Sequence, residues 1–149
     1  MKFPPITPEE QAENRKKWIA ALRSGKYSQV RSRLKTDDGY CCLGVACEVL
    51  DAKVSSGRAG TDSVCYEHGL EGIKTVTDTI LPYSIAHKLG ISPTGTFDSH
   101  NHAYDCLWKL NDFADYSFSK IADVIEENET SLKEKGFIWK RTTEGEIID

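Results

Sequence analysis

The chain reads as one α+β domain: about five helices packed around a buried Cys-rich helix, with a small antiparallel β-hairpin at one side. Three observations predict this. Residues 39–50, Gly-Tyr-Cys-Cys-Leu-Gly-Val-Ala-Cys-Glu-Val-Leu, form the densest apolar segment and repeat at the helical period. Amphipathic patterns with recognisable start and stop signals lie before and after that segment. Two β-branched runs, residues 63–68 and 73–80, are separated by Gly69-Leu70-Glu71-Gly72, a turn composition.

In the central segment Leu43, Ala46, Cys47 and Leu50 fall at i, i+3, i+4 and i+7, and Cys42, Val45 and Val49 fill the neighbouring stripe. Such a helix is apolar almost all round and is expected to be buried on most sides. The third stripe carries Cys41, Gly44 and Glu48. Gly44 costs a helix interior about 1 kcal/mol relative to Ala, which predicts a close approach of another helix or a ligand to the backbone there. Glu48 is the only charge in the segment, and a buried carboxylate would need a cation, hydrogen-bond donors or a raised pKa.

The remaining elements follow in order. Thr7-Pro8-Glu9-Glu10 predicts a helix start, with Thr7 as N-cap and the helix running to Ser24 before Gly25. Its apolar stripe is Ala12, Trp18, Ile19 and Leu22, with Arg15, Lys16, Lys17 and Arg23 expected to face water. Residues 26–35 alternate and carry four cations, which fits a short strand or extended loop, and residues 36–39 form a turn. Residues 51–60 read as loop. A short helix from Tyr83 to Leu89, inward on Ile85, Ala86 and Leu89, should stop at Gly90. Residues 92–102 are irregular. The next helix places Ala103, Cys106, Leu107 and Leu110 on one face and breaks at residues 110–112. Ser117 caps a helix with Phe118, Ile121, Ala122 and Ile125 inward, extending past Leu132 to Gly136. The single domain spans residues 1–149, with a core over about 7–136 and a tail over 137–149, in which Phe137, Ile138 and Trp139 could add a last strand and residues 142–149 are expected to be loose.

With 39% hydrophobic and 28% charged residues the composition is that of a soluble globular domain. No apolar run approaches the roughly 20 residues needed to span a bilayer, so no membrane partner is expected. The N-terminus has no apolar signal region, and the expected location is the cytoplasm. A net charge of −4 argues against broad affinity for nucleic acid, which draws on Lys and Arg contacts to phosphate. Five cysteines, three of them within residues 41–47, read as a reduced set of thiols, with Cys42 and Cys47 as small core hydrophobes.

Several constellations could carry chemistry. Arg31 and Arg33, two apart on a strand, would point to one side, and an anion would complement two guanidiniums beside the positive end of the Cys-rich helix. The alternative is pairing with surface carboxylates. Asn111-Asp112 is either a capping and turn device or a polar contact reaching towards Glu48 and the basic segment. A cysteine hydrolase would use Cys41 at a helix N-terminus as nucleophile and His100, or His102, as base. A zinc site could be drawn from Cys65, His68, His100, His102 and Cys106, although neither half is a paired Cys-x-x-Cys. No metal or cofactor is assigned. Paired hydrolytic carboxylates, a phosphate-binding Gly-rich loop and a dinucleotide fingerprint are absent.

The motifs Trp18-Ile-Ala-Ala-Leu22-x-Ser-Gly25-Lys-Tyr27-x-Gln29, residues 39–48, Leu81-Pro82, Leu107-x-x-Leu110-Asn111-Asp112 and Phe118-x-x-Ile-Ala-Asp-x-Ile-Glu126 resemble a family of small proteins of tailed bacteriophages and prophages, over about residues 18–126. The resemblance implies no settled activity. Relatives often have a more glycine-rich link between the Gln and Leu positions, where this chain has Val30-Arg31-Ser32-Arg33. By analogy it implies an intracellular phage accessory protein acting on host machinery, often host defence. The expected function is binding without turnover. The target would be an anionic, nucleotide-like small molecule or a host protein, held in a groove lined by Tyr27, Gln29, Arg31, Arg33, Tyr40, Cys41, Glu48, Asn111 and Asp112. A homo-oligomer is compatible with this reading, and an exposed apolar patch would instead point to a protein interface.

Overall fold

Thr7 opens the first helix, α1 (Pro8–Arg23), by accepting the backbone N–H of Glu10 at 3.1 Å, and the chain leaves it through Ser24 and Gly25 at φ +74°. Trp18, Ile19 and Leu22 are buried as the apolar stripe predicts. Arg15 is buried with them, at 2% exposure, which corrects its placement in water. Its guanidinium donates to Glu129 at 2.9 Å and to the Leu89 carbonyl at 2.7 Å, so the buried charge is paired and hydrogen-bonded. The computed structural model describes residues 4–57, 59–136, 140–141 and 147–148. The expected strand contribution of residues 137–139 lies outside them, as does most of 142–149.

Two short strands, β1 (Lys35–Thr36) and β2 (Gly39–Tyr40), pair across the Asp37-Asp38 turn. The basic segment before them is not a strand. Gln29 makes one isolated bridge to Tyr40, and Ser32 at φ +69° reverses the chain. Such a left-handed residue breaks the two-residue alternation that would have kept Arg31 and Arg33 on one side.

The central helix, α2 (Cys42–Val49), has Cys41 as its extended N-cap, with Sγ accepting the Gly44 N–H at 3.4 Å. Cys41 therefore precedes the helix instead of sharing a stripe with Gly44. The close approach predicted at Gly44 is made by the chain itself: a Cβ there would overlap the Leu34 carbonyl oxygen, which accepts the Cys41 N–H at 3.2 Å. Trp18 Nε1 donates to the Cys42 carbonyl at 2.9 Å, fastening α1 to the same end of α2.

A three-stranded antiparallel sheet follows, ordered β3 (Val54–Gly57), β4 (Val64–Glu67), β5 (Val76–Thr77). β3 replaces the loop expected over residues 51–60. Its Val-Ser-Ser-Gly sequence has no alternation of its own and takes its order from pairing with β4 through an irregular register. β4 and β5 are the predicted hairpin, with Tyr66 opposite Thr77. α3 (Tyr83–Leu89) ends on Gly90 at φ +71°, as predicted. Its N-terminus abuts the end of the hairpin: His68 Nδ1 accepts the Tyr83 N–H at 3.2 Å, and the two rings stack at 3.8 Å.

The C-terminal half departs from expectation in two places. The predicted helix around residues 103–110 is split into a 3-10 turn (His102–Tyr104) and α4 (Leu107–Asp112), because Cys106 is extended and bridges Thr96. α5 (Phe118–Glu127), capped by Ser117, stops at Asn128, whose side chain donates to the Val124 carbonyl before α6 (Glu129–Glu134) begins. A short ladder, β6 (Lys140–Arg141) with β7 (Ile147–Ile148), completes the described elements. One core joins Trp18, Leu34, Leu43, Ala46, Leu81, Ile85, Leu107, Ile121, Ile125 and Leu132. Among the described residues no helix is long and apolar enough to cross a membrane.

Gly44→Ala tests the close approach. Helix propensity alone would favour Ala by about 1 kcal/mol, but the overlap with Leu34 dominates, as overpacking a tight site costs about 1–3 kcal/mol or more. The expected result is a urea midpoint lowered by the equivalent of about 2 kcal/mol with an unchanged m-value.

Burial lowers the pKa of His68 below its ordinary value of 6.5. Between that lowered pKa and 6.5 the unfolded chain binds a proton that the folded chain does not, so stability falls as pH falls through this window and levels off beneath it. Urea midpoints measured at intervals from pH 7.5 to pH 5 should decline, and the decline should shrink in His68→Asn, which keeps an acceptor for Tyr83 without titrating.

Candidate functional site

Asn111, in the last turn of α4, is 1% exposed and makes a full set of hydrogen bonds. Its Oδ1 accepts from Gln29 Nε2 at 2.8 Å and from the Cys42 N–H at 3.1 Å. Its Nδ2 donates to the Val30 carbonyl at 2.8 Å and to Asp112 Oδ1 at 2.9 Å. The backbone partners leave only one orientation of the amide, since Cys42 can only donate and Val30 can only accept. Asp112 Oδ1 also accepts the Ser32 N–H at 3.0 Å, and Gln29 Nε2 reaches the Tyr116 carbonyl at 2.8 Å. Asn111-Asp112 therefore reaches the basic segment's backbone and the start of α2, and does not reach towards Glu48.

This arrangement changes the predicted groove. Asn111 and Cys41 already accept the Cys42 and Gly44 N–H groups, and residues 41–44 are buried, so the start of α2 is not open to an anion from solvent. Arg31 pairs with Asp115, both mostly exposed at 60% and 65%. Arg33 turns elsewhere, with Nε 3.5 Å from Asp78 and one terminal nitrogen donating to the Ser32 carbonyl. Tyr27 and Tyr40 pack edge to face at 5.3 Å, half-buried against the core. Glu48 is exposed on α2, so its charge needs no buried partner.

What remains is an open recess of about 290 Å³ lined by Gln29, Arg31, Asn111, Asp115 and Tyr116. Asp112 adjoins it through Asn111, while Tyr27, Arg33, Tyr40, Cys41 and Glu48 do not line it. Sequence reasoning missed Asp115 and Tyr116. They lie in the short link between α4 and α5, where Asp115 at φ +57° makes the turn, a signal no spacing rule exposes. The Lys120 ammonium sits 3.9 Å from the centre of the Tyr116 ring.

Tyr116 also borders a second recess of about 280 Å³. Phe97, Tyr104, Leu110 and Val124 form its apolar part, and Asp98, Ser99, His100, Asn101 and Asn128 its polar rim. The loop that supplies the rim is tied down: the Phe97 N–H donates to the Asp105 carbonyl at 3.0 Å, the Asp98 N–H to Ser131, and Lys135 lies 3.3 Å from the Asp98 carboxylate.

The thiol chemistry expected at Cys41 is reversed. Cys41 is 3% exposed, and loss of hydration pushes its pKa up to about 12, where a nucleophile would need a lowered one. The same cause raises Cys42 and Cys47 well above the usual thiol range. His100 lines the second recess and Cys41 does not, so the two are not assembled. Cys65 and Cys106 are buried, His68 uses Nδ1 on Tyr83, and His100 and His102 are exposed. Among the described residues no three His, Cys, Asp or Glu side chains converge to hold a metal ion.

A sequence profile described as "Domain of unknown function (DUF8296)" matches residues 11–129. The chain belongs to this family. The DUF8296 span begins within α1 and ends at Glu129, the partner of Arg15, so it takes in the Asn111 network and both recesses. No curated protein and no solved structure matches the chain.

Asn111→Ala removes all four hydrogen bonds and leaves the buried Cys42 N–H and the half-buried Val30 carbonyl without that partner. Each such loss costs about 1–3 kcal/mol, so the expected loss is about 3 kcal/mol, read as a shift in the urea midpoint. Asn111→Asp is isosteric but cannot donate to Val30 and sets a carboxylate beside Asp112. It should also destabilise at neutral pH.

Proposed function

We propose that the protein acts by binding, without turnover, and that the recess at Arg31 holds the phosphate of a nucleotide-like small molecule. The observation that carries this reading is the placement of a loosely held cation on a rigid frame. Gln29 and Asn111 are locked by their hydrogen bonds, while the Arg31–Asp115 pair beside them is exposed. An exposed ion pair contributes about 0–1 kcal/mol, and a phosphate offers a guanidinium two parallel charge-assisted bonds. Asp115 is thus a displaceable occupant.

The biological setting rests on the motif resemblance to tailed-phage proteins. In that setting the protein is an accessory factor in the host cytoplasm that sequesters a nucleotide signal of host defence. A second reading, the blocking of a host protein, is favoured by one observation: Phe113, two residues from Asp115, is 64% exposed and meets Trp108 edge to face. The hydrolase alternative is not retained, since Cys41 is buried and disfavoured as a thiolate.

Calorimetric titration with mononucleotides and cyclic dinucleotides tests the reading. Arg31→Glu should weaken binding by at least tenfold, and Asp115→Asn, which removes the competing carboxylate, should tighten it several-fold. Affinities unchanged in both variants would overturn the proposal.

A further inference from the structure

The recess bordered by Phe97, Tyr104, Leu110 and Val124 is not used by the phosphate reading, yet it shares Tyr116 with the Arg31 recess. We infer that this second recess receives a flat, neutral heterocycle, so that a nucleotide straddles Tyr116 with its base on one part of the surface and its phosphate at Arg31. The straddling rests on the proposed function; the heterocycle site itself stands on separate observations.

The first is the lining. Phe97 and Leu110 contribute buried apolar groups to it, and Tyr104 and Val124 half-buried ones. Its hydrogen-bonding groups come from residues 98–101, Asn128 and the tyrosine hydroxyls, and the Asn128 amide donates to the Val124 carbonyl. An apolar bed with a few polar groups at its edge is the chemistry of a ring that is hydrophobic on its faces and polar on its perimeter.

The second is charge. No Lys or Arg lines this recess, and the Asp98 carboxylate at its rim is matched by Lys135, so the recess offers a second anion no net positive charge. The other recess is lined by a cation, Arg31. The division of labour is therefore built in, with anion on one part and neutral ring on the other. Lys120 covers one face of Tyr116, the residue common to both recesses, and Tyr104 supplies a second aromatic ring for stacking.

The third is size. Recesses of about 290 and 280 Å³ each lie at the lower edge of the roughly 300–1,000 Å³ typical of small-molecule sites, which suits one moiety apiece. The rim loop is already fixed by Ser131, Lys135 and the Asp105 carbonyl, so the site is preformed.

Backbone NMR titrations of the full-length, isotope-labelled protein separate the possibilities, using inorganic phosphate, the four ribonucleosides and their 5′-monophosphates. The expected result is that at least one nucleoside shifts the amides of Tyr104, Val124 and Asn128 but not that of Arg31. Phosphate should shift Arg31 alone, and the matching monophosphate should shift both sets and bind at least tenfold more tightly than either part. Val124→Trp, which fills the recess, should abolish the nucleoside response and keep the phosphate response, with thermal melting confirming a folded variant. Monophosphates that move Arg31 and leave Tyr104, Val124 and Asn128 unmoved would overturn the inference and leave the proposed function standing. Nucleosides and monophosphates that move only the Tyr104 set would overturn the phosphate reading and the straddling, and leave the heterocycle site. No response to any of these probes would overturn both.

Discussion

One primary amide holds the centre of this molecule. Asn111 sits where the end of α4, the start of α2 and the loop after α1 meet, and it supplies two acceptor and two donor contacts that no apolar side chain of the same size could replace. Its effect is positional as much as energetic. The loop carries a left-handed residue and is held by backbone bonds to Tyr40 and Asp78; fastened further through Val30, Gln29 and Ser32, it presents Arg31 at a defined place. The start of α2 is closed by the same group, so the positive end of the most apolar helix is satisfied inside the protein and is not offered to solvent.

A second polar device works at the opposite end of the core. The side chains of Gln11, Asn14 and Arg15, on consecutive turns of α1, donate to the carbonyls of His87, Lys88 and Leu89 at 2.8, 2.9 and 2.7 Å. These are the last carbonyls of α3, of which His87 also accepts the Gly90 N–H at 3.2 Å. A neighbouring helix thus caps α3 from the side, and Gly90 completes the stop. At the end of α1, Arg23 forks between Asp123 and Glu126 of α5, an exposed pairing of the kind that orients more than it stabilises.

These devices explain which parts of the structure could be read from the residues. Local rules sufficed where the chain satisfies itself: Thr7 and Ser117 as caps, Gly25 and Gly90 as stops, the inward stripe of α5, and the Asp37-Asp38 turn. The crowding at Gly44 was legible as a glycine in a helix that needed a reason, though the identity of the neighbour was not. Local rules failed where a distant partner decides. Arg15 looks like a surface cation until Leu89 and Glu129 close over it. β3 has no strand pattern because its order comes from β4. Cys106 reads as a helical residue until Thr96 draws it into an extended bridge. The candidate site follows the same division. Gln29, Arg31 and Asn111 were recognisable as a polar set, whereas Arg33 and Glu48 were lost to a left-handed turn and to solvent, and Asp115 and Tyr116 were found only through three-dimensional proximity.

The five sulfurs add a kinetic dimension to this architecture. All are buried as free thiols, and the three around α2 are held far from ionisation by their surroundings. While the chain is closed they are chemically silent. Once it opens, the three around α2 recover an ordinary thiol's acidity together, and a disulfide formed in the open chain under oxidising conditions opposes its return to a core built on free thiols. The lifetime of the folded protein in air is therefore governed by how often it opens and how quickly it recloses, so a reductant would lengthen shelf life without altering the equilibrium between folded and unfolded chains.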